Sequence, residues 1–403
     1  MKQAFILDGV RTPVGSFGGS LSHSRPDDLA ALVIRQLMNK HKQIDPVLIS
    51  DVIMGCANQA DEDNRNVARM SLLLAGLPYS VPGETVNRLC ASGMSAVIQA
   101  SRAIKSDEGD LFIAGGVENM TRAPWVISKA STPFGRDAEM FDSSFGWRFI
   151  NKELHRLFGT DSMGMTAENL ASKFNISRED QDAFALRSQQ KATLARDSGR
   201  LSEEIVPVEV KKGKESLLFA QDEFIKSGTS LEILSKLKPA FRKAEEGGSV
   251  TAGNASGLND GASAVLVASD IFIKNNHLQP LTRIVSSGVA GVEPRIMGIG
   301  PVEASKLALK RAGLTIDQMD ILELNEAFAA QVLACTRSLG LEDIDERINP
   351  NGGAIAIGHP LGMSGARILL SASIELHKLQ AKYALVTMCI GVGQGYAVVL
   401  ERV

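Results

Sequence analysis

Short apolar segments alternate with amphipathic ones along this chain, and one order of them occurs twice. In the first occurrence the apolar run Asp51–Met54 precedes a helical pattern, then Cys90, a helix from Ser92 and the run Leu111–Ala114. In the second, Ile321–Leu324 precedes a helical pattern, then His359, a helix from Ser364 and the run Ala384–Met388. Ser92-Gly-Met-Ser-Ala96 and Gly362-Met-Ser-Gly-Ala366 echo one another at matching places. Such alternation predicts an α/β fold, because amphipathic helices cover the faces of the sheet their strands form. Its recurrence predicts a duplicated β-α-β-α unit. Further strands are expected at Ala4–Leu7, Ala264–Ala268 and Ala397–Leu400, and further helices at Asp28–Lys40, Asn66–Leu74 and Ala327–Leu339. Ser177-Arg-Glu-Asp180 has the form of a capping box opening a helix toward Ala195.

Between about Thr121 and Val250 the pattern loosens, with Pro124, Pro133, the aromatic run Phe145-Gly-Trp147-Arg148-Phe149 and the polar stretch Lys211–Gly228. This reads as an excursion from the first half that covers a site. With 44% hydrophobic and 22% charged residues, disorder and fibrous structure are excluded. A net charge of −3 argues against nucleic-acid and membrane-surface partners, and Lys211-Lys212-Gly213-Lys214 reads as a solvated loop. The first residues read as a strand rather than a secretory leader, and no run of about 18 apolar residues marks a membrane helix. Cys56, Cys90, Cys335 and Cys389 contain no Cys-x-x-Cys pair, so no metal site is expected, and a cytoplasmic protein with free thiols is.

The stretch Asn349-Pro-Asn-Gly-Gly-Ala-Ile-Ala-Ile-Gly358-His359-Pro360-Leu-Gly362 cannot be an ordinary helix or central strand; it is a shaped loop presenting an imidazole. Cys90 precedes Ala91-Ser92-Gly93 and a helical run, where peptide-dipole ends are expected to lower a thiol pKa. A neutral His359 within reach would take its proton. Cys389 follows an apolar strand and precedes Gly391, Gly393 and Gly395; Gly391 offers an unobstructed N–H suited to an oxyanion. Glu323-Leu-Asn325-Glu326 puts polar groups at a strand's C-terminal end, where α/β sheets place ligands. Thr251–Gly261 is a small-residue run that a ligand can approach closely. Two thiols and a histidine in glycine-rich surroundings point to acyl transfer through a thioester. Cys56 and Cys335 fit inert buried cysteines.

Together with Val10-Arg11-Thr12-Pro13, Gly115-Gly116-Val117-Glu118-Asn119-Met120 and Asn325–Phe328, these segments resemble the thiolase family over essentially the whole chain. The resemblance implies two similar core domains, 1–270 (with the excursion 121–250) and 271–403, in layered α/β/α/β/α packing. It implies that Cys90 is acylated by a 3-oxoacyl-CoA, that His359 activates it, and that Cys389 protonates the leaving acetyl-CoA carbanion. His359 and a water held by Asn325 would form one oxyanion site, and the N–H groups of Cys90 and Gly391 another. CoA contacts would fall at Met163, Lys226, Phe241, Ala252, Ser256 and Phe328, with Lys226 facing a CoA phosphate. CoA is then a substrate and no cofactor is implied; dimers or tetramers are.

Ser162 stands where short-chain acetoacetyl-CoA enzymes of the family have a histidine. Asp63–Met70, Ser71–Leu77 and Phe145–Asn151 are most similar to members cleaving 3-oxoadipyl-CoA, whose distal carboxylate needs a cation, for which Arg148 is the choice. Three alternatives stay open: a general or acetoacetyl-CoA-forming acetyltransferase, a decarboxylating ketoacyl synthase, and an inactive lipid carrier. The synthase would need a second histidine where Asn325 or Cys389 stands. The carrier would have no need of Cys90, Asn325, His359 and Cys389 together.

Overall fold

The expected strands form, and most run longer than their apolar runs, because ladder pairing continues through small and polar residues. The computed structural model describes residues 2–403. Its main strands are β1 (Ala4–Arg11), β2 (Asp51–Gly55), β3 (Gly83–Val86), β4 (Leu111–Asn119), β5 (Asn259–Ser269), β6 (Thr282–Gly291), β7 (Ile321–Leu324), β8 (Tyr383–Ile390) and β9 (Gln394–Arg402). They lie in the order β7-β8-β9-β6-β1-β5-β4-β2-β3, with Gly15–Ser16 beside β5.

The duplication is visible in that order. From the middle outward, one half reads β1-β5-β4-β2-β3 and the other β6-β9-β8-β7. In each, the two inner pairings are antiparallel and the next is parallel. The place of β3 is taken in the second half by one parallel bridge, Leu322 to Ile348. The halves meet between β1 and β6 through two residue pairs only, Phe5 with Arg283 and Ile6 with Thr282.

Two helices, α1 (Ser92–Lys105) and α2 (Leu361–Lys378), occupy the layer between the half-sheets. Their buried faces (Met94, Val97, Ile98, Leu369, Leu370, Leu376) share a core with Ile53, Phe112 and Val265 of one half and Val386, Met388 and Val398 of the other. The opposite faces carry their own cores, against Pro26–Lys40 and Val67–Leu74 on one side and Gly300–Ala312 and Ala329–Ser338 on the other. The result is the five-layered α/β/α/β/α packing. Strand alternation sorts residues between layers: Ala384, Val386, Met388 and Ile390 face the middle, whereas Leu385 faces outward.

Local signals act as their chemistry dictates. Asn66 caps Val67–Leu74 through the Arg69 N–H at 3.2 Å. Ser177 caps Arg178–Asp197 through the Asp180 N–H at 3.0 Å, but the box is only half formed, since Asp180 turns to Arg337 at 2.8 Å. The excursion is more ordered than its loose pattern indicates. It holds a hairpin of Trp125–Ile127 with Met140–Asp142, the helices Lys152–Phe158, Met163–Lys173 and Arg178–Asp197, and a hairpin of Val208–Lys212 with Glu215–Phe219. The basic run read as a loop thus lies in a hairpin turning at Gly213, whose φ is +65°. Fully buried Arg11, at the end of β1, ties this excursion down: it pairs with Asp222 at 2.6 and 2.8 Å and with Glu204 at 2.7 Å. Removing one partner of such a buried pair costs about 3–5 kcal/mol.

Candidate active site

The two echoing glycine-rich segments bring the two halves together. A Cβ on Gly93 would lie 2.5 Å from the Gly362 carbonyl oxygen, and one on Gly365 would overlap the Met94 backbone. Only glycine lets α1 and α2 cross this closely at their N-termini. Cys90 and His359, each a few residues ahead of its helix, therefore emerge at the same end of the molecule.

Cys90 sits in the 3₁₀ turn Leu89–Ala91, after Leu89 with a φ of +46°. It is half-buried and lines a cavity of about 250 Å³. The backbone N–H groups of Gly391 and of Cys90 itself lie toward its sulfur and favour the thiolate. The expected low thiol pKa is not what the site gives. Burial pushes Cys90 up to about 11, the two N–H groups oppose this, and the nearby Glu118 carboxylate adds to it. Desolvation of the thiolate outweighs the helix-end dipoles here.

His359 is buried, and burial, reinforced by the Arg367 cation, lowers it to about 3, so it is neutral at physiological pH. Its tautomer follows from hydrogen bonds. Ser364 Oγ donates to the Pro360 carbonyl at 2.8 Å and lies 2.6 Å from His359 Nδ1. With its single proton committed, the hydroxyl can only accept, so Nδ1 carries the hydrogen and Nε2 keeps its lone pair. Asn325 Nδ2 lies 3.3 Å from that Nε2, while Asn325 Oδ1 is buried without a protein partner. Asn325 is held at the end of β7 by its N–H to the Thr387 carbonyl (3.0 Å), and Asn259 Oδ1 accepts the His359 N–H at 2.9 Å.

Cys389, on β8, is buried in an apolar cluster with Ala255, Phe328 and Met163, and burial beside Cys90 pushes its thiol well up. Gly391 follows in the hairpin to β9, where Val392 adopts a φ of +64°, a strained conformation for a β-branched residue. Gly391 and Val392 line the Cys90 cavity, as do Met163, Glu118 and Phe145-Gly146-Trp147-Arg148 from the excursion. Arg148 donates to the Ser143 carbonyl at 3.1 Å, and among the described residues no carboxylate pairs with it.

The positions expected to contact CoA form one group. Met163 packs with Phe328; Phe241 lies edge-to-face on Phe328 at 6.3 Å and covers Gly164; Ser256 donates to the Ala327 carbonyl at 3.0 Å beside the Ala255–Phe328 bridge. Ala252 is exposed in the turn Thr251–Asn254 just ahead of Ser256. Lys226 joins this group through Phe224, whose ring lies 5.0 Å from its ammonium and packs at Gly257 beside Ser256, while its N–H is on Gln189. Sequence reasoning missed Ser364, Asn259 and Glu118; the first is legible as a hydroxyl one helical turn beyond the histidine. Cys56, Asp63 and Glu118 place potential metal ligands within 4.8 Å of one another. Their carboxylates already accept backbone N–H groups of Ala57, Asn58, Gln59, Asp61 and Gly362, which leaves little to offer an ion.

The arrangement is a buried neutral imidazole, a cavity-lining thiol under two N–H donors and a second buried thiol, which together suit acyl transfer. The family descriptions "Thiolase, N-terminal domain" and "Thiolase, C-terminal domain" match residues 4–270 and 278–402. The chain is 58% identical, over 100% of both chains, to a 3-oxoadipyl-CoA/3-oxo-5,6-dehydrosuberyl-CoA thiolase of Escherichia coli K12. It is 54% identical, again over 100% of both, to a beta-ketoadipyl-CoA thiolase of Acinetobacter baylyi. Among solved structures, human mitochondrial 3-ketoacyl-CoA thiolase superposes with a TM-score of 0.92 at 41% identity, covering 100% of this chain and 99% of that one.

Proposed function

The chain belongs to the thiolase family, and we propose that it cleaves 3-oxoadipyl-CoA with CoA, giving acetyl-CoA and a four-carbon dicarboxylic acyl-CoA through an acyl-Cys90 thioester. Cys90 Sγ attacks the 3-oxo carbon as His359 Nε2 takes the thiol proton. With the thiol near 11 and the imidazole near 3, no thiolate–imidazolium pair waits for substrate, so proton transfer accompanies attack. The N–H groups of Cys90 and Gly391 stabilise the tetrahedral oxyanion; removing one such donor typically costs about 10²–10³ in rate. The C2–C3 bond then breaks, and its electron pair leaves as the acetyl-CoA enolate, whose oxygen faces His359 and an Asn325-held water. Cys389 gives its proton to the enolate carbon. The CoA thiol finally attacks acyl-Cys90 as its proton passes to the Cys389 thiolate; the departing Cys90 sulfur takes back the proton held by His359, and the shortened acyl-CoA is released. Run backward, Cys389 is the base of a Claisen condensation.

The observation that carries the substrate is Arg148: a guanidinium without a carboxylate partner among the described residues, on the wall of the cavity that holds Cys90, suited to a substrate's distal carboxylate. CoA enters as a substrate along Met163, Phe241, Ala252, Ser256 and Phe328, with Lys226 toward its phosphates; the proposal needs no cofactor. A cytoplasmic homodimer or homotetramer completes it, supported by the exposed apolar side chains of Trp125, Ile127, Phe134 and Met140 on one hairpin and by four free thiols, and checked by sedimentation.

The test is CoA-dependent thiolysis of 3-oxoadipyl-CoA beside acetoacetyl-CoA, with Cys90→Ala as the dead control. A clear kcat/KM advantage for the dicarboxylic substrate, lowered about 10–100-fold by Arg148→Ala with acetoacetyl-CoA unaffected, is expected. Equal or better cleavage of acetoacetyl-CoA makes the protein a general acetyl-CoA acyltransferase instead.

A further inference from the structure

Of the segments singled out in the sequence, Gly115–Met120 has no part in the chemistry above. Its Glu118, near the end of β4, is almost completely buried. A carboxylate removed from water in this way is unfavourable unless donors satisfy it. Three backbone N–H groups do so: Ala57 and Gly362 donate to Oε2 at 2.9 Å each, and Asn58 to Oε1 at 3.0 Å. Ala57 and Asn58 follow β2 in the first half of the molecule. Gly362 belongs to the first turn of α2 in the second half, just past His359. The same carboxylate lines the Cys90 cavity.

Glycine makes this reach across the halves possible. A Cβ on Gly116 would overlap the Gly362 carbonyl, and one on Gly362 would overlap the Val117 and Gly55 carbonyls. At this contact the backbone of β4 runs directly against the turn that carries the histidine. A negative group at the start of α2 is also favoured by the helix dipole. Cys56 and Asp63 face Glu118 from the loop after β2, and Cys90 faces it across the cavity.

We propose that Glu118 is a positioning residue for acyl transfer: its carboxylate clips the His359-bearing turn of one half to the Cys90-bearing half and fixes the imidazole against the thiol. The inference rests on Cys90 and His359 being the reacting pair. It predicts an effect on turnover that is separable from folding and from CoA binding. Misplacement of a reacting group by about 1 Å can cost on the order of 10² in rate.

The experiment uses the full-length protein, its Glu118→Gln and Glu118→Asp variants, thermal melting, steady-state thiolysis, and the rate of Cys90 alkylation by iodoacetamide. Glu118→Gln turns one accepting oxygen into a donor that opposes a backbone N–H. Its kcat is expected to fall at least tenfold with KM for CoA within about twofold. At the same time, alkylation at pH 8 is expected to quicken, because the anion that disfavours the Cys90 thiolate is gone. Glu118→Asp keeps the charge but not the reach, so kcat falls while alkylation stays at the parental rate. Opposite movements of turnover and thiol reactivity are not what general loosening of the fold produces. If either folded variant keeps kcat within threefold of the parent, or if Glu118→Gln slows alkylation, the proposal is overturned. Should Glu118→Gln not fold, the Asp variant decides alone. A parent protein that cleaves neither 3-oxoacyl-CoA overturns this inference together with the functional reading, a result distinct from an active parent with active variants.

Discussion

At the scale of single residues, the site depends on which atoms carry protons. His359 serves as a base through Nε2 only while Ser364 accepts the Nδ1 hydrogen, and Ser364 is confined to accepting because its own hydrogen is donated to the Pro360 carbonyl. Ser364→Ala frees the ring to choose the other tautomer and to rotate. A fall in kcat of about 10–100-fold is expected, with a small change in melting temperature because the lost hydrogen bonds are worth about 1 kcal/mol each. An unchanged kcat measured by steady-state thiolysis would remove Ser364 from the mechanism. Cys90 and His359 were legible as candidates only when the several segments were taken together with their resemblance to thiolases, since each alone reads as readily as a structural residue. The thiol's pKa was not: the sequence places Cys90 beside helix-end dipoles, but only packing shows that burial outweighs them.

At the scale of elements, the crossing of α1 (Ser92–Lys105) and α2 (Leu361–Lys378) decides whether the two halves of the site meet. The contact is made by glycine on both helices: a Cβ on Gly93 would lie 2.5 Å from the Gly362 carbonyl oxygen and 3.0 Å from the Ala366 nitrogen. Gly93→Ala puts a methyl group into backbone that cannot give way. A stability loss of about 1–3 kcal/mol is expected by chemical denaturation, together with a larger loss of turnover than of alkylation at Cys90. A stable, fully active variant would show that the crossing tolerates separation. Helices and strands with strong periodicity were found in sequence at or within a few residues of their ends. The excursion was less legible, because a strand such as Glu215–Phe219 is almost wholly exposed and no buried face imposes an alternation on it.

At the scale of the whole molecule, the interior buries several ionisable groups, and their titrations oppose one another. Burial raises Glu118 to about 7, Glu323 to about 8 and Asp260 to about 6. These carboxyls hold protons in the folded state where the unfolded chain has lost them, so their contribution is full below about pH 4 and is lost as pH rises through those values. His359, lowered to about 3, acts in the reverse direction: its contribution is full above about pH 6.5 and is lost as pH falls toward 3. Above pH 6.5 the carboxyl contributions go on falling, and toward pH 8.5 the raised thiols of Cys90 and Cys389 add to the fall. Melting temperature is therefore expected to decline from pH 6.5 to 8.5, and Glu323→Gln to flatten the decline. A flat parental profile from differential scanning calorimetry would show that these carboxyls are better solvated than their burial implies.

The sequence by itself determined the α/β class and the duplication, and offered Cys90, His359 and Cys389 as candidates for thioester chemistry. These follow from local properties: periodicity, glycine where a loop must bend, and nucleophiles beside helix starts. The tertiary structure decided what depends on distant segments meeting. It joined the halves through two residue pairs of β1 and β6, replaced a fifth strand with the single Leu322–Ile348 bridge, and brought Arg148 of the excursion onto the wall that holds Cys90. It also gave Glu118 three N–H donors from segments far apart in the chain. Solvation of an ionisable group and the partner of a buried polar atom are set by whatever packs against them. No local pattern in a chain encodes either.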